Sequence, residues 1–98
     1  MLKMTATKTG LKLTGRLTIN SGDQLDEAMA RLDPSAGCTL DFSEVSFLSS
    51  AGLRCLIIQA KRFRQARGTF KVVGVRGIVK DVLLLAHLDK IMTIETDE

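Results

Sequence analysis

The chain of 98 residues contains no tryptophan, no tyrosine and only four phenylalanines. A stacking platform for single-stranded nucleic acid needs several exposed rings, so that class of binding is excluded. The two cysteines, Cys38 and Cys55, show no metal-ligand spacing, and we expect both to be buried and reduced. The sequence also lacks a signal peptide and an apolar run long enough to cross a bilayer. We therefore expect a cytoplasmic protein without membrane insertion.

Catalytic motifs are equally scarce. The glycines form neither a phosphate-binding loop nor a dinucleotide fingerprint, and no serine lies in a nucleophile elbow. The one histidine, His87, lies at the predicted end of the last helix, where a histidine is typical of a surface residue or a partner of the helix dipole. These absences predict a binding or switching module rather than an enzyme, without a cofactor or a metal.

The formal net charge of +3 is concentrated in one segment. Four basic residues occupy seven positions there: Lys61, Arg62, Arg64 and Arg67. They fall in the last turns of a predicted helix, where the dipole favours cations. No recognisable nucleic-acid reading element accompanies them, so we expect no nucleic-acid partner.

Hydrophobic periodicity predicts the first half of the fold. Alternating apolar residues predict strands over 2–7 and 11–19 that form a hairpin. Gly15, in the middle of the second strand, predicts a bulge or a close approach by another element. Residues 20–23 break the alternation and are expected to form a loop in which Ser21 or Asp23 caps a helix. That helix carries an apolar stripe from Leu25 to Leu32.

The second half alternates between strands and helices. We expect a strand over 38–42, a loop over 43–46 and a helix over 50–67 that Gly68 ends. A strand over 69–73, a short and heavily buried helix over 78–86 and a strand over 92–94 follow. The order β-β-α-β-α-β-α-β predicts an α/β fold, a small mixed sheet with helices packed on it, in a single domain over 1–98.

Two adjacent serines, Ser49 and Ser50, lie where the long helix is predicted to begin. The backbone N–H groups of a first helical turn lack partners, so a serine here can cap the helix, accompany a bound anion or accept a phosphoryl group. The residue types alone do not choose among these roles.

The segment around the serine pair resembles the signature of STAS domains, specifically bacterial anti-sigma factor antagonists. It reads DFSEVSFLSSAGL over 41–53. The family pattern is roughly Asp-Leu/Phe-Ser, a short loop, an aromatic and an aliphatic residue, then Asp-Ser-Ser/Ala-Gly-Leu. Weaker similarities lie at 15–17, 70–74 and 82–90. The resemblance thus extends over nearly the whole chain and implies the STAS fold.

The resemblance also implies a function. Such proteins bind an anti-sigma factor that is also a serine kinase of the histidine-kinase-like ATPase fold. Phosphorylation of the antagonist, here on Ser50, releases the kinase, and a serine phosphatase resets the switch. ATP and Mg²⁺ belong to the kinase, so the resemblance implies no cofactor for this chain.

One departure from the family pattern affects the site. Ser49 occupies the position where the family commonly has aspartate, which makes Ser49 a rival phosphoacceptor. His87 likewise occupies a position where glycine is frequent. We expect the docking surface to surround the acceptor and to comprise Ser49, Ser50, Gly52, Arg54, Ile58, Lys61, Asn20, Ser21 and Asp23. For Ile58 two interpretations are equally open: an exposed residue of the partner face, or a residue partly packed against a neighbouring helix. We expect Asp41 to orient the loop after it by accepting backbone N–H groups.

A second hypothesis comes from a different functional class. The chain could be a non-phosphorylated STAS subunit of a membrane transport complex, such as the small cytoplasmic component of a lipid transporter. The intact Ser50 in the motif favours the phosphorylation switch.

Overall fold

The computed structural model describes residues 2–96, with the side chains of residues 19–22 outside the description. Within that range the strands are β1 Leu2–Ala6, β2 Gly10–Leu17, β3 Cys38–Leu48, β4 Phe70–Val75 and β5 Thr93–Thr96. The α-helices are α1 Ile19–Ala30, α2 Ser50–Gln65 and α3 Gly77–Leu85, and short 3-10 turns occur at Pro34–Ala36 and Leu88–Lys90. The order of strands and α-helices confirms the predicted α/β class.

The strands form one sheet in the order β1-β2-β3-β4-β5. β1 and β2 are antiparallel, as the predicted hairpin requires, and every later pairing is parallel. Parallel neighbours connected through a helix use right-handed crossovers. Because the strand order never reverses, three such crossovers place their helices on one face of the sheet.

The burial pattern agrees with this arrangement. One row of paired residues crosses the sheet through Leu11, Leu40, Val72 and Ile94, and it lies on the side of the core. The helices contribute buried residues to the same core: Leu25, Met29, Cys55, Leu56, Ala60, Phe63, Val79 and Leu83. Their packing fixes where the first turn of α2 lies against the sheet.

The loop predicted over 43–46 is wrong, because β3 continues as a strand to Leu48. Lys12 pairs with Asp41 whereas Thr14 pairs with Glu44, so β3 has one residue more than β2 in this interval. Asp41 Oδ1 accepts the Ser43 backbone N–H at 2.9 Å, which satisfies a donor at the bulge. A second register shift lies between Gly15 and Arg16, where Ser46 is the additional residue on β3. Of the two alternatives predicted from Gly15, a bulge or a close approach by another element, the register therefore shows a bulge beside it.

Two helix boundaries also differ from the prediction. α1 begins at Ile19, so residues 20–23 lie within its range instead of forming a loop that precedes it. α2 ends at Gln65, and Arg67 rather than Gly68 adopts the left-handed conformation, with φ of 63°. Position 68 has room only for a glycine, because a Cβ there would lie 1.7 Å from the Pro34 carbonyl oxygen.

The last helix and strand differ as well. α3 was expected to be heavily buried, but its buried residues are Val79 and Leu83, while Ile78, Leu84 and Leu85 are exposed. β5 lies at 93–96 rather than 92–94. Among the described residues, no helix combines the length and the apolar character that a membrane span requires.

Candidate functional site

Ser49 is the N-cap of α2. Its backbone is extended, and its Oγ accepts the Gly52 N–H at 3.2 Å. Its carbonyl accepts the Leu53 N–H at 2.8 Å, and its own N–H donates to the Leu17 carbonyl at 2.9 Å. Ser49 therefore joins the end of β2 to the first turn of α2, and its hydroxyl serves as the capping acceptor.

Ser50 is the first residue of α2, and its side chain is exposed. The sequence left open which serine caps the helix, and the structure assigns that role to Ser49. The first turn of α2 contains no acidic residue. A negative group on Ser50 would therefore meet unpaired backbone donors and the positive end of the helix dipole.

Gly52 was predicted to be part of the docking surface, but it is buried. A Cβ at this position would lie 2.7 Å from the Leu17 carbonyl oxygen, 2.9 Å from Leu17 Cγ and 3.1 Å from Leu48 Cδ1. The prediction is corrected accordingly: Gly52 lets the first turn of α2 pack closely on β2 and β3, and it does not present a contact surface.

Three predicted docking residues on α2 share one exposed stripe. Arg54, Ile58 and Lys61 follow Ser50 at intervals of four, four and three residues and are all exposed. These intervals place them on one helix face. Ile58 has 51% of its surface exposed, so the structure supports the exposed rather than the packed interpretation of this residue. We call Ser50, Arg54, Ile58 and Lys61 the α2 stripe.

The remaining predicted docking residues belong to α1. Asp23 is exposed, whereas the side chains of Asn20 and Ser21 lie outside the described residues. The cap expected at Ser21 or Asp23 is wrong in position, because the helix has already begun at Ile19.

Asp41 is held in the bulge of β3 and does not belong to the exposed site. Hydrogen bonds from the backbone N–H and hydroxyl of Ser43, together with the nearby Lys12 ammonium, lower the pKa of the Asp41 carboxyl. Arg76 Nη2 donates to the Ser43 carbonyl at 3.1 Å. Asp41 thus accepts a backbone N–H as predicted, but within a strand rather than a loop.

A polar network between α1 and α2 was not foreseen. Asp26 Oδ1 accepts the Cys55 thiol at 2.9 Å and the Gln59 amide at 3.1 Å. Arg62 donates to Gln59 Oε1 at 3.1 Å and to the Leu32 carbonyl at 3.0 Å. The spacing of Cys55, Gln59 and Arg62 on one helix face was the available signal. This network uses one member of the basic cluster to join the helices.

Neither cysteine shows reactive-thiol character. Both are buried, and they form no disulfide, as predicted. Burial raises the pKa of Cys38 to about 11. Burial and the adjacent Asp26 carboxylate raise the pKa of Cys55. A surface groove of about 530 Å³ beside Cys38 lies at the opposite end of β3 from Ser50 and is separate from the site.

Removing the cap is expected to separate the roles of the two serines. We expect Ser49→Ala to lower the free energy of unfolding by about 1 kcal/mol, because the Gly52 N–H loses its acceptor. Ser49→Asp should restore stability, since aspartate is an equally good N-cap. Urea denaturation of both Ser49 variants and of Ser50→Ala measures their free energies of unfolding. A larger loss in Ser50→Ala than in Ser49→Ala would contradict the assignment.

Residues 1–94 match a protein family described as "Mlab, STAS domain". The chain belongs to the STAS domain family. This match confirms the resemblance identified from residues 41–53. A comparison with curated proteins found no match.

Solved structures with the same fold include several described as anti-sigma factor antagonists. A candidate antagonist from Thermotoga maritima is 21% identical, with a TM-score of 0.79 over 96% of this chain and 85% of its own. An antagonist from Mycobacterium paratuberculosis is 20% identical, with a TM-score of 0.79 over 97% and 84%. Unphosphorylated SpoIIAA is 11% identical, with a TM-score of 0.70 over 100% and 89%. At these identities the likeness establishes the STAS fold.

Proposed function

We propose that this STAS domain is an anti-sigma factor antagonist whose binding is switched by phosphorylation of Ser50. In its unphosphorylated form it binds an anti-sigma factor that is also a serine kinase. One observation carries the proposal: the Ser50 hydroxyl is exposed at the start of α2, while the neighbouring Ser49 hydroxyl caps the helix. Ser49 remains the rival acceptor, but a kinase would have to break the cap to reach it.

The free domain should tolerate the modification. A phosphoserine carries about −1.5 to −2 charges near neutral pH. At Ser50 that charge lies beside the N–H groups of the first turn and one turn from the Arg54 guanidinium. The favourable position predicts a change in binding with little change in fold.

The α2 stripe defines the chemistry of the partner. Arg54 and Lys61 give it positive charge, and Ile58 gives it one exposed apolar side chain. A complementary surface offers carboxylates and a shallow apolar pocket. A phosphoryl group on Ser50 would repel those carboxylates and add bulk at the end of the stripe. Release of the partner follows from both effects.

The domain itself acts as a binding module and performs no catalysis in this scheme. The kinase of the histidine-kinase-like ATPase fold supplies ATP and Mg²⁺. A serine phosphatase removes the phosphoryl group and restores binding. The whole cycle takes place in the cytoplasm.

Titration of the domain into the purified serine kinase from the same organism, in the presence of ADP, tests the function. We expect a complex with a dissociation constant of about 1 μM or tighter, and competition with the sigma factor. Charge reversal at Arg54 and Lys61 should abolish the complex, whereas reversal of Arg67, which lies beyond α2, should not. A kinase that binds the sigma factor but not this domain would contradict the proposal.

A second candidate is a non-phosphorylated STAS subunit of a membrane transport complex, such as a lipid transporter. The observation that favours it is the description of the matching family, which names Mlab and no sigma factor. Affinity purification of the tagged domain from membranes discriminates the two candidates. A transporter ATPase that is recovered in stoichiometric amount, and that stays bound to the domain after incubation with ATP, would support the second candidate and contradict the first.

A further inference from the structure

The outer face of α3 exposes large apolar side chains. Ile78 has 66% of its surface exposed, Leu84 has 41% and Leu85 has 79%, whereas Val79 and Leu83 on the inner face are buried. An exposed helix face of this kind differs from the single apolar residues found on any protein surface. None of these residues belongs to the α2 stripe, which lies on another helix.

Asp81 lies at the centre of this face. Its neighbours at three and four residues along the helix are Gly77, Ile78, Leu84 and Leu85, which are all exposed and uncharged. Residues at these spacings surround one another on a helix surface. The adjacent Lys80 is half-buried and lies about 100° from Asp81 around the helix axis, at the edge of this face. The face is therefore an exposed carboxylate ringed by apolar groups, and its charge is opposite to that of the α2 stripe.

This arrangement restricts what can cover the face. A second copy packed across a twofold axis through the middle of α3 would bring Asp81 against the same residue of the other copy, and like charges would repel as water is excluded. A second copy that placed its α2 stripe on this face would supply cations, but a contact between two different surfaces builds rings or filaments and would occupy the surface proposed for the kinase. An anionic lipid surface would also repel the carboxylate. A cation is required opposite Asp81, and apolar side chains are required around that cation.

We propose that the outer face of α3 docks a protein partner through an amphipathic helix that places a lysine or arginine against Asp81. The surrounding side chains of Ile78, Leu84 and Leu85 pack on the apolar residues of that helix and exclude water from the ion pair. Exclusion of water strengthens the charge interaction relative to one at an open surface. The domain then carries a second docking surface, which goes beyond the proposed binding at Ser50.

The test uses a stapled amphipathic peptide helix with leucines at i, i+3, i+4 and i+7 and one lysine among them. A control peptide has glutamate in place of the lysine. Titration into the ¹⁵N-labelled domain should shift the amide signals of α3, and the lysine peptide should bind about fivefold more tightly than the glutamate peptide. Asp81→Lys should reverse this preference, which a purely apolar contact would not do.

Two matched variants locate the contact. Leu85→Ser should weaken the lysine peptide about tenfold, while Ile58→Ser, which removes an exposed isoleucine from the α2 stripe, should change its affinity by less than about twofold. Both side chains are largely exposed, so neither change threatens the fold. Equal binding of the two peptides, or no shift in α3, would overturn the proposal. Self-association that Leu85→Ser abolishes would overturn it too, by identifying a second copy as the occupant.

Discussion

Gly52→Ala is expected to lower the free energy of unfolding by about 2–3 kcal/mol. The added Cβ would lie 2.7 Å from the Leu17 carbonyl oxygen and 2.9 Å from Leu17 Cγ. That carbonyl also accepts the Ser49 N–H at 2.9 Å, so it cannot move away without weakening the junction between β2 and α2. The strain therefore falls on the element that positions Ser50.

Thermal unfolding followed by circular dichroism measures this effect. For a domain of this size we expect the Tm to fall by roughly 10–20 °C. Ser50→Ala is the matched control: it changes an exposed residue on the same helical turn and should shift the Tm by less than about 3 °C. An unchanged Tm in Gly52→Ala would show that the first turn of α2 does not pack closely on β2.

Ser50→Asp is expected to weaken binding to the kinase partner by about 100-fold, equivalent to about 2.7 kcal/mol. The carboxylate places negative charge at the end of a positive stripe, opposite the acidic groups inferred for the partner. In the free domain the same charge lies at a helix N-terminus, which favours it. We therefore expect the Tm to stay within about 2 °C of the wild-type value or to rise.

Ser50→Asn separates charge from size, because asparagine has nearly the volume of aspartate and no charge. Titration calorimetry with both variants should give a loss of less than about tenfold for asparagine. Equal losses would show that bulk rather than charge disrupts the complex. A large fall in the Tm of Ser50→Asp would indicate a structural role for Ser50 instead.

The overall architecture followed from local patterns. Period-two alternation in residues 11–17 and the apolar stripe of the long helix each had one consistent interpretation, and together they gave the element order. The short connections between these elements then restricted the order and direction of the strands in the sheet. Gly15 was also informative, because a glycine inside an otherwise regular strand indicates a bulge or a close approach of another backbone. A register shift lies beside it.

The secondary structure and burial were wrongly predicted where tertiary contacts override the local preferences of the residues. Three of the four residues 43–46 are polar, which predicted a loop. In the structure the Asp41 carboxylate accepts a backbone N–H at the bulge, and β2 supplies the paired strand. α3 is so rich in apolar residues that no face could be distinguished by periodicity, and its exposed side was missed. Arg67 adopts the positive φ that the adjacent glycine was expected to take. Gly68 serves a different purpose, since a Cβ there would collide with the Pro34 carbonyl oxygen.

The candidate site was likewise predicted in part from the sequence. The motif located the serine pair, and helical spacing predicted one face through Arg54, Ile58 and Lys61. The spacing left open whether Ile58 is exposed or packed against a neighbouring helix, and its exposure is seen only in the structure. The division of roles between Ser49 and Ser50 depends on a register of one residue at the helix start, which sequence patterns do not resolve. Gly52 was misassigned to the surface because its contact with Leu17 joins residues far apart in the chain.

Mapping the phosphoryl group after incubation with the partner kinase, ATP and Mg²⁺ tests the central claim most directly. Intact mass spectrometry should show the addition of one phosphoryl group, and fragmentation should place it on Ser50. Ser50→Ala should remain unmodified, whereas Ser49→Ala should still be modified. A phosphoryl group on Ser49, its persistence in Ser50→Ala, or the absence of modification by a kinase that binds the domain would contradict the account.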